Sequence, residues 1–181
     1  MRVLDNIKKR LSDFSFKRCK SPNREVKAIN IKNAKTVGIV YRSDDDEVKE
    51  LIERYVKFLK GYNAKVKTLG FYNLDELPRY VTPKLEYDYF VKKSLNWSLE
   101  SNAVEVENFI QQEFDILIDA TVQQDDILRF VTKQSKAVFK VGAAGVKSVE
   151  DLDFAINLKT GEGTRQLMKG LDNYLHLINK N

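Results

Sequence analysis

The sequence predicts an α/β protein: a three-layer, Rossmann-like or flavodoxin-like fold with an open, mostly parallel sheet of about five strands covered by helices on both faces. Three observations predict it. Thr36–Phe71, TVGIVYRSDDDEVKELIERYVKFLKGYNAKVKTLGF, reads strand, acidic turn, helix, turn, strand, the unit that joins two parallel strands through a crossover helix. Phe114–Ala120 (FDILIDA) and Lys136–Val141 (KAVFKV) are short apolar runs of the kind that form strands buried on both faces. Segments with helical periodicity alternate with these runs.

Taken in order, residues 1–35 form a basic helical leader. Val3, Leu4, Ile7, Leu11 and Phe14 share one helical face, and basic residues fill most of the rest. Val26, Ala28 and Ile29–Ile31 alternate like a short edge strand. The single α/β domain then spans 36–181. Val37–Tyr41 is its first strand. The next helix starts near Asp44–Asp46, where an aspartate can cap free N–H groups. Val48, Leu51, Ile52, Tyr55, Val56 and Leu59 form its inner face, and Gly61 ends it. Ala64–Phe71 is the second strand.

An aromatic crossover occupies 71–100, with Tyr87–Val91 a candidate strand inside it. Loops this long in compact domains are functional or unordered, and the aromatic content argues for order. Ser101–Glu113 reads as a helix with Val106, Phe109 and Ile110 inward. FDILIDA is the clearest central strand. Asp125 caps a helix bearing Ile127, Leu128 and Val131. Lys136–Val141 is a strand ending in the turn Gly142-Ala-Ala-Gly145. Leu152–Leu158 is the last strand. Gly163–Thr164 opens a final helix with Leu167, Leu171, Tyr174, Leu175 and Ile178 inward and His176 opposite them.

Composition narrows the chemistry. The chain of 181 residues has one cysteine, Cys19, and one histidine, His176. That excludes an internal disulfide, a CxxC site and a multi-histidine metal site. No apolar run reaches the roughly 18 residues of a membrane span, and no secretory signal is expected; the expected location is the cytoplasm. The net charge of +5 is uneven. Residues 1–35 carry 11 Lys/Arg against 3 Asp/Glu, and the other 146 carry 20 against 23.

In a parallel sheet the carboxyl ends of the strands open on one edge, and ligands bind there. That edge collects Arg42, Ser43 and Asp44 after the first strand, Asp119 and Thr121 after FDILIDA, and Gly142 and Gly145 after VFKVG. Two carboxylates and a hydroxyl could hold Mg²⁺ through oxygen. The competing reading is that each aspartate caps the helix it precedes. A dinucleotide is not expected, because Asp44, Asp45 and Asp46 stand where a glycine-rich phosphate loop would be. No cofactor other than Mg²⁺ is a candidate. A response-regulator receiver would use Asp44, Asp119 and Lys140, but the spacing is wrong and the aromatic crossover has no counterpart there.

Two contact surfaces remain. Tyr87, Tyr89 and Trp97 interleave with Lys92 and Lys93 in the crossover; such a surface can stack bases or simply pack the loop onto the sheet. The basic arm, Lys8, Lys9, Arg10, Lys17, Arg18 and Lys20, suits RNA or the ribosome, an acidic membrane surface, or a helix docked on this domain or on a partner protein. Its apolar stripe favours docking.

LPRYVTPKLEYDYFVKKSLNW, FDILIDA and the VFKVG turn together resemble an uncharacterised bacterial family of small single-domain Rossmann-like proteins. The likeness covers most of residues 35–178 and carries no established activity, so it implies the fold and a cytoplasmic location but no catalytic residue. The expected function is a non-catalytic binding or protein-interaction module using the crossover and the leader. One alternative is an enzyme with a carboxylate site, with or without Mg²⁺, at the strand ends. The other is an RNA- or ribosome-associated protein.

Overall fold

The computed structural model describes residues 21–82, 84–96, 101–145 and 149–179. The expected leader helix, the basic arm Lys8, Lys9, Arg10, Lys17, Arg18 and Lys20, and Trp97 lie outside the described residues. Ten elements follow one another: β1 (Thr36–Arg42), α1 (Asp46–Lys60), β2 (Lys65–Tyr72), β3 (Tyr87–Val91), α2 (Val104–Gln111), β4 (Ile116–Asp119), α3 (Asp126–Gln134), β5 (Phe139–Ala144), β6 (Phe154–Asn157) and α4 (Thr164–Leu175). The six strands form one sheet in the order β3-β2-β1-β4-β5-β6. Every pairing in it is parallel. This is the strand order of the six-stranded doubly wound sheet, with one strand more than the sequence suggested. The additional strand is β3, an edge strand within the aromatic crossover.

Strand β1 sits at the centre, and its middle residues Val37–Tyr41 are all buried. Alternate side chains serve opposite layers. Val37, Ile39 and Tyr41 face α1 and α4, with Ile52, Val56, Leu167 and Leu171. Val40 faces α2 and α3, with Phe109, Phe114 and Leu128. Gly38 on that second face has no side chain because the Phe114 ring covers it; a Cβ there would stand 2.8 Å from two ring carbons.

Helix α1 ends at Lys60 with Gly61 as its C-cap, as the sequence reading had it; Gly61 keeps a right-handed φ of −63°, and the left-handed residue is Asn63, at φ 60°. Asparagine tolerates that region because its side chain is short and polar. Two other features differ from the sequence reading. Strand β5 runs on to Ala144, so Gly142 lies within a strand rather than in a turn. Residues 21–30 form no strand, although the Lys27 N–H does reach Val138 O.

That entering segment is nevertheless tied to the domain. Arg24 pairs with Asp153 through two hydrogen bonds of 2.6 and 2.7 Å and also donates to Ala137 O and Val138 O. Asn30 Nδ2 donates to His176 O and Ile178 O at the end of α4. Ile31 is fully buried and Ala34 nearly so. The packed domain thus begins before Thr36. His176 is half-buried rather than free: its Nε2 meets the Tyr62 hydroxyl at 3.1 Å and its Nδ1 meets Asp172 O at 2.8 Å. No described helix is long and apolar enough to cross a membrane.

Two predictions follow from this packing. Gly38→Ala forces a methyl group into the Phe114 ring and should cost about 1–3 kcal/mol, as overpacking does; urea denaturation measures it. Burial also raises the phenols of Tyr41, Tyr55 and Tyr72, and takes Tyr87 up to about 12, above the ordinary value of 10.0. The unfolded chain therefore releases these protons first. The stability they contribute is complete below pH 10 and is lost as pH rises from there through 12. The melting temperature should fall across that window, with part of the tyrosinate absorbance appearing only on unfolding.

Candidate functional site

Strands β1 and β4 are neighbours whose chains continue in opposite directions, β1 toward β2 and β4 toward β5. Their ends are level, with Val40 beside Asp119. A crevice forms where an α/β sheet divides in this way. Here it is a cleft of about 290 Å³. One wall is Arg42, Asp44, Asp45 and Val48, from the end of β1 and the start of α1. The other is the loop Ala120–Asp125, and Thr164 at the start of α4 completes it.

Local sequence builds both walls. Asp45 precedes α1 and accepts from the N–H groups of Glu47 and Val48 at 2.9 and 3.2 Å. Asp125 precedes α3 and accepts from Ile127 and Leu128 at 3.0 and 3.1 Å. Each aspartate thereby satisfies N–H groups that a helix start leaves free. Asp125 uses one oxygen for this and turns the other to Arg42 Nη1, at 2.8 Å. Arg42 also grips both oxygens of Asp44, through Nε at 2.9 Å and Nη2 at 2.5 Å. Its guanidinium lies 5.2 Å from the centre of the Phe71 ring. This grip holds the Asp44 carboxyl below the usual carboxylate range. Arg42 thus straddles the cleft floor and joins the two walls.

Asp119 lies beneath the cleft and not on its surface; it is 3 % exposed. One of its oxygens accepts from Thr121 N at 3.0 Å and Thr121 Oγ1 at 2.5 Å, and the other from Thr132 Oγ1 on α3 at 3.0 Å. Burial pushes its carboxyl up, against these three bonds, which favour the charged form. Asp119 shapes the turn that carries Thr121 into the cleft wall.

Of the residues singled out from sequence, Arg42, Asp44 and Thr121 line the cleft. Ser43 is buried and lies over Gly70. Gly142 packs against Asp119 and Leu152, so its small size serves strand packing. Gly145 sits in the turn after β5, at φ 90°, with open space where a side chain would be. Asp44 and Asp119 do not present oxygens to a common point, since Arg42 takes those of Asp44 and two threonines take those of Asp119. Among the described residues no three His, Cys, Asp or Glu side chains group as a metal site. Lys140 is buried, with Nζ on Lys133 O at 2.9 Å.

Tyr87 and Tyr89 alternate along β3 and pack inward against the core, while Lys92 and Lys93 are exposed. Among the described residues of the crossover, the exposed large apolar groups are instead Leu74, Tyr80 and Leu85. Sequence reasoning placed Asp125 only as a cap and did not bring Asp45, Gln123, Gln124 or Thr164 to the site. A cap spends one carboxylate oxygen on the helix and leaves the other available; that it meets Arg42, the last residue of β1, is set by the sheet and carries no sequence signal.

A family model described as a family of unknown function, DUF6913, matches residues 7–178, and the chain belongs to that family. No curated protein matches the chain, and no solved structure matches it.

Charge and hydrogen bonding at Asp119 can be separated. Asp119→Asn keeps an acceptor for Thr121 and removes a buried charge, so at neutral pH it should be at least as stable as the native protein. Asp119→Ala strands the Thr121 and Thr132 donors and should lose about 1–3 kcal/mol. Equal losses in the two variants, read by urea denaturation, would show instead that the charge itself holds the turn.

Proposed function

We propose that this chain is a non-catalytic binding module that takes its ligand in the strand-end cleft and uses the crossover as a second contact surface for a protein partner. The observation that carries the reading is the Arg42 bridge between Asp44 and Asp125, together with the capping of α1 and α3 by Asp45 and Asp125. Helix starts at a switch-point crevice attract phosphate through their free N–H groups and positive dipole end. At α1 and α3 those groups already bind the chain's own carboxylates. One guanidinium faces three carboxylates across the cleft, a balance that repels a dinucleotide and complements a cationic or neutral polar group. Gln123, Gln124 and Thr121 add uncharged donors and acceptors, and Val48 and Val122 add apolar surface.

Ser–His or Cys–His catalysis would need His176, and no histidine lines this cleft. His176 stands just past the far end of α4 from Thr164, and the 12-residue length of that helix separates the two ends by about 18 Å. Exposed Leu74, Tyr80 and Leu85 support the crossover as a protein contact. Cytoplasmic residence is part of the proposal, supported by the single cysteine.

The test is a comparison of probes by thermal shift and by amide chemical shifts: a polyamine, free arginine, Mg²⁺, inorganic phosphate and a dinucleotide. An amine or guanidinium probe should move the resonances of Thr121, Gln123 and Gln124, and at 100 times its Kd should add about 2.7 kcal/mol of stability. Asp125→Asn should weaken that response. A dinucleotide or phosphate seated in the cleft would overturn the reading.

A further inference from the structure

Beside the cleft, on the α1 face of the sheet, hydroxyls converge on a bare glycine. Gly70 of β2 pairs with Tyr41 on one side and Tyr89 on the other. Ser43 follows β1 with its N–H on Phe71 O at 2.8 Å, and its Oγ occupies the place above Gly70, 2.0 Å from where a Cβ would be. Thr68 stands two residues before Gly70 on the same face. Both side chains are sealed from solvent, Ser43 at 1 % and Thr68 at 0 % exposure. Both lie beside the Tyr41 phenol. The Tyr41 phenol interacts with both hydroxyls and with Tyr89, yet neither Ser43 Oγ nor Thr68 Oγ1 completes a well-aligned hydrogen bond among the described residues.

We infer that this cluster of hydroxyls above Gly70 is a binding site for one internal water molecule, held by Ser43 Oγ, Thr68 Oγ1 and the Tyr41 phenol. A buried hydroxyl left unpaired is costly, and two of them side by side in a sheet core make that cost hard to sustain. Water suits the site chemically. It donates and accepts, it carries no charge into a core that would penalise one, and it needs two to four polar partners, of which three are in place. Gly70 is part of the device: a side chain there would displace Ser43 Oγ and press on the edges of Tyr89 and Tyr41. The water ties the turn bearing Arg42 and Asp44 to β1 and β2 beneath the cleft. This inference goes beyond the binding reading and stands whether or not the cleft takes a cation.

Thr68→Val and Ser43→Ala, singly and together in the full chain, test it. Each single variant should lower the melting temperature by about 2–4 °C. The double variant should lose less than the sum, because the water is already gone after the first change. Water-¹⁷O relaxation should count one fewer long-lived water in Thr68→Val than in the native protein. Variants that melt at or above the native temperature would show that the hydroxyls are merely unpaired, and the inference would fall. An unchanged water count would overturn it as well, whatever the stability.

Discussion

The pairing of β1 with β4 is the constraint on which the remaining features rest. It sets a fully buried strand at the centre of the sheet and turns the chain outward in both directions from that line. It also brings the end of one strand and the loop of the other to the same height, so that a crevice must form above them. Arg42 then closes the gap between two walls that the backbone alone would leave apart. With side-chain exposures of 35 % for Arg42 and 7 % for Asp125, this bridge is part surface and part interior. Its geometry, two carboxylates around one planar guanidinium, matters more than its net contribution to stability.

The carboxylates at this rim do two things at once. An aspartate cap contributes about 1 kcal/mol to its helix, and it does so by occupying the donors a phosphate would use. The same atoms therefore stabilise α1 and α3 and set the polarity of the cleft. A chain that bound nucleotides through this architecture would have to leave those donors free and find the stabilisation elsewhere. Here stability and ligand preference are not separable by mutating Asp45 or Asp125, whereas Asp44, which caps nothing, is the residue at which they come apart.

Much of the fold was legible in residue order. The spacing of Val48, Ile52, Val56 and Leu59 marks α1, and the apolar run of Val37–Tyr41 marks the central strand, because both patterns follow directly from which faces are buried. Residue order also suggests that Tyr41, Ala120 and Val141 end side by side on one rim; Ala120 N does bond Val40 O, but Val141 pairs with Ile118 and β5 runs on to Ala144. What failed was anything set by neighbours distant in sequence. Gly142 looked like a turn because glycine usually marks one; it is in a strand, paired with Ala155 of β6, and its small size fits the close approach of Asp119 and Leu152. Tyr87 and Tyr89 left two readings open, a stacking surface or packing onto the sheet; at edge strand β3 strand alternation sets both half-buried rings against the core. Asp125 was legible as a cap but not as a partner of Arg42, since 83 residues separate them and only the sheet brings them together.

The Arg24–Asp153 clasp gives the molecule two poles. It fastens residues 21–28 at the amino ends of β5 and β6, beside Ala137 and Val138, whereas the cleft opens at the carboxyl ends of β1 and β4. A seven-residue strand stands about 20 Å tall between those levels. Residues 21–28 and the cleft therefore lie at opposite ends of the sheet, so a contact made on that segment would leave the carboxyl-end rim unobstructed.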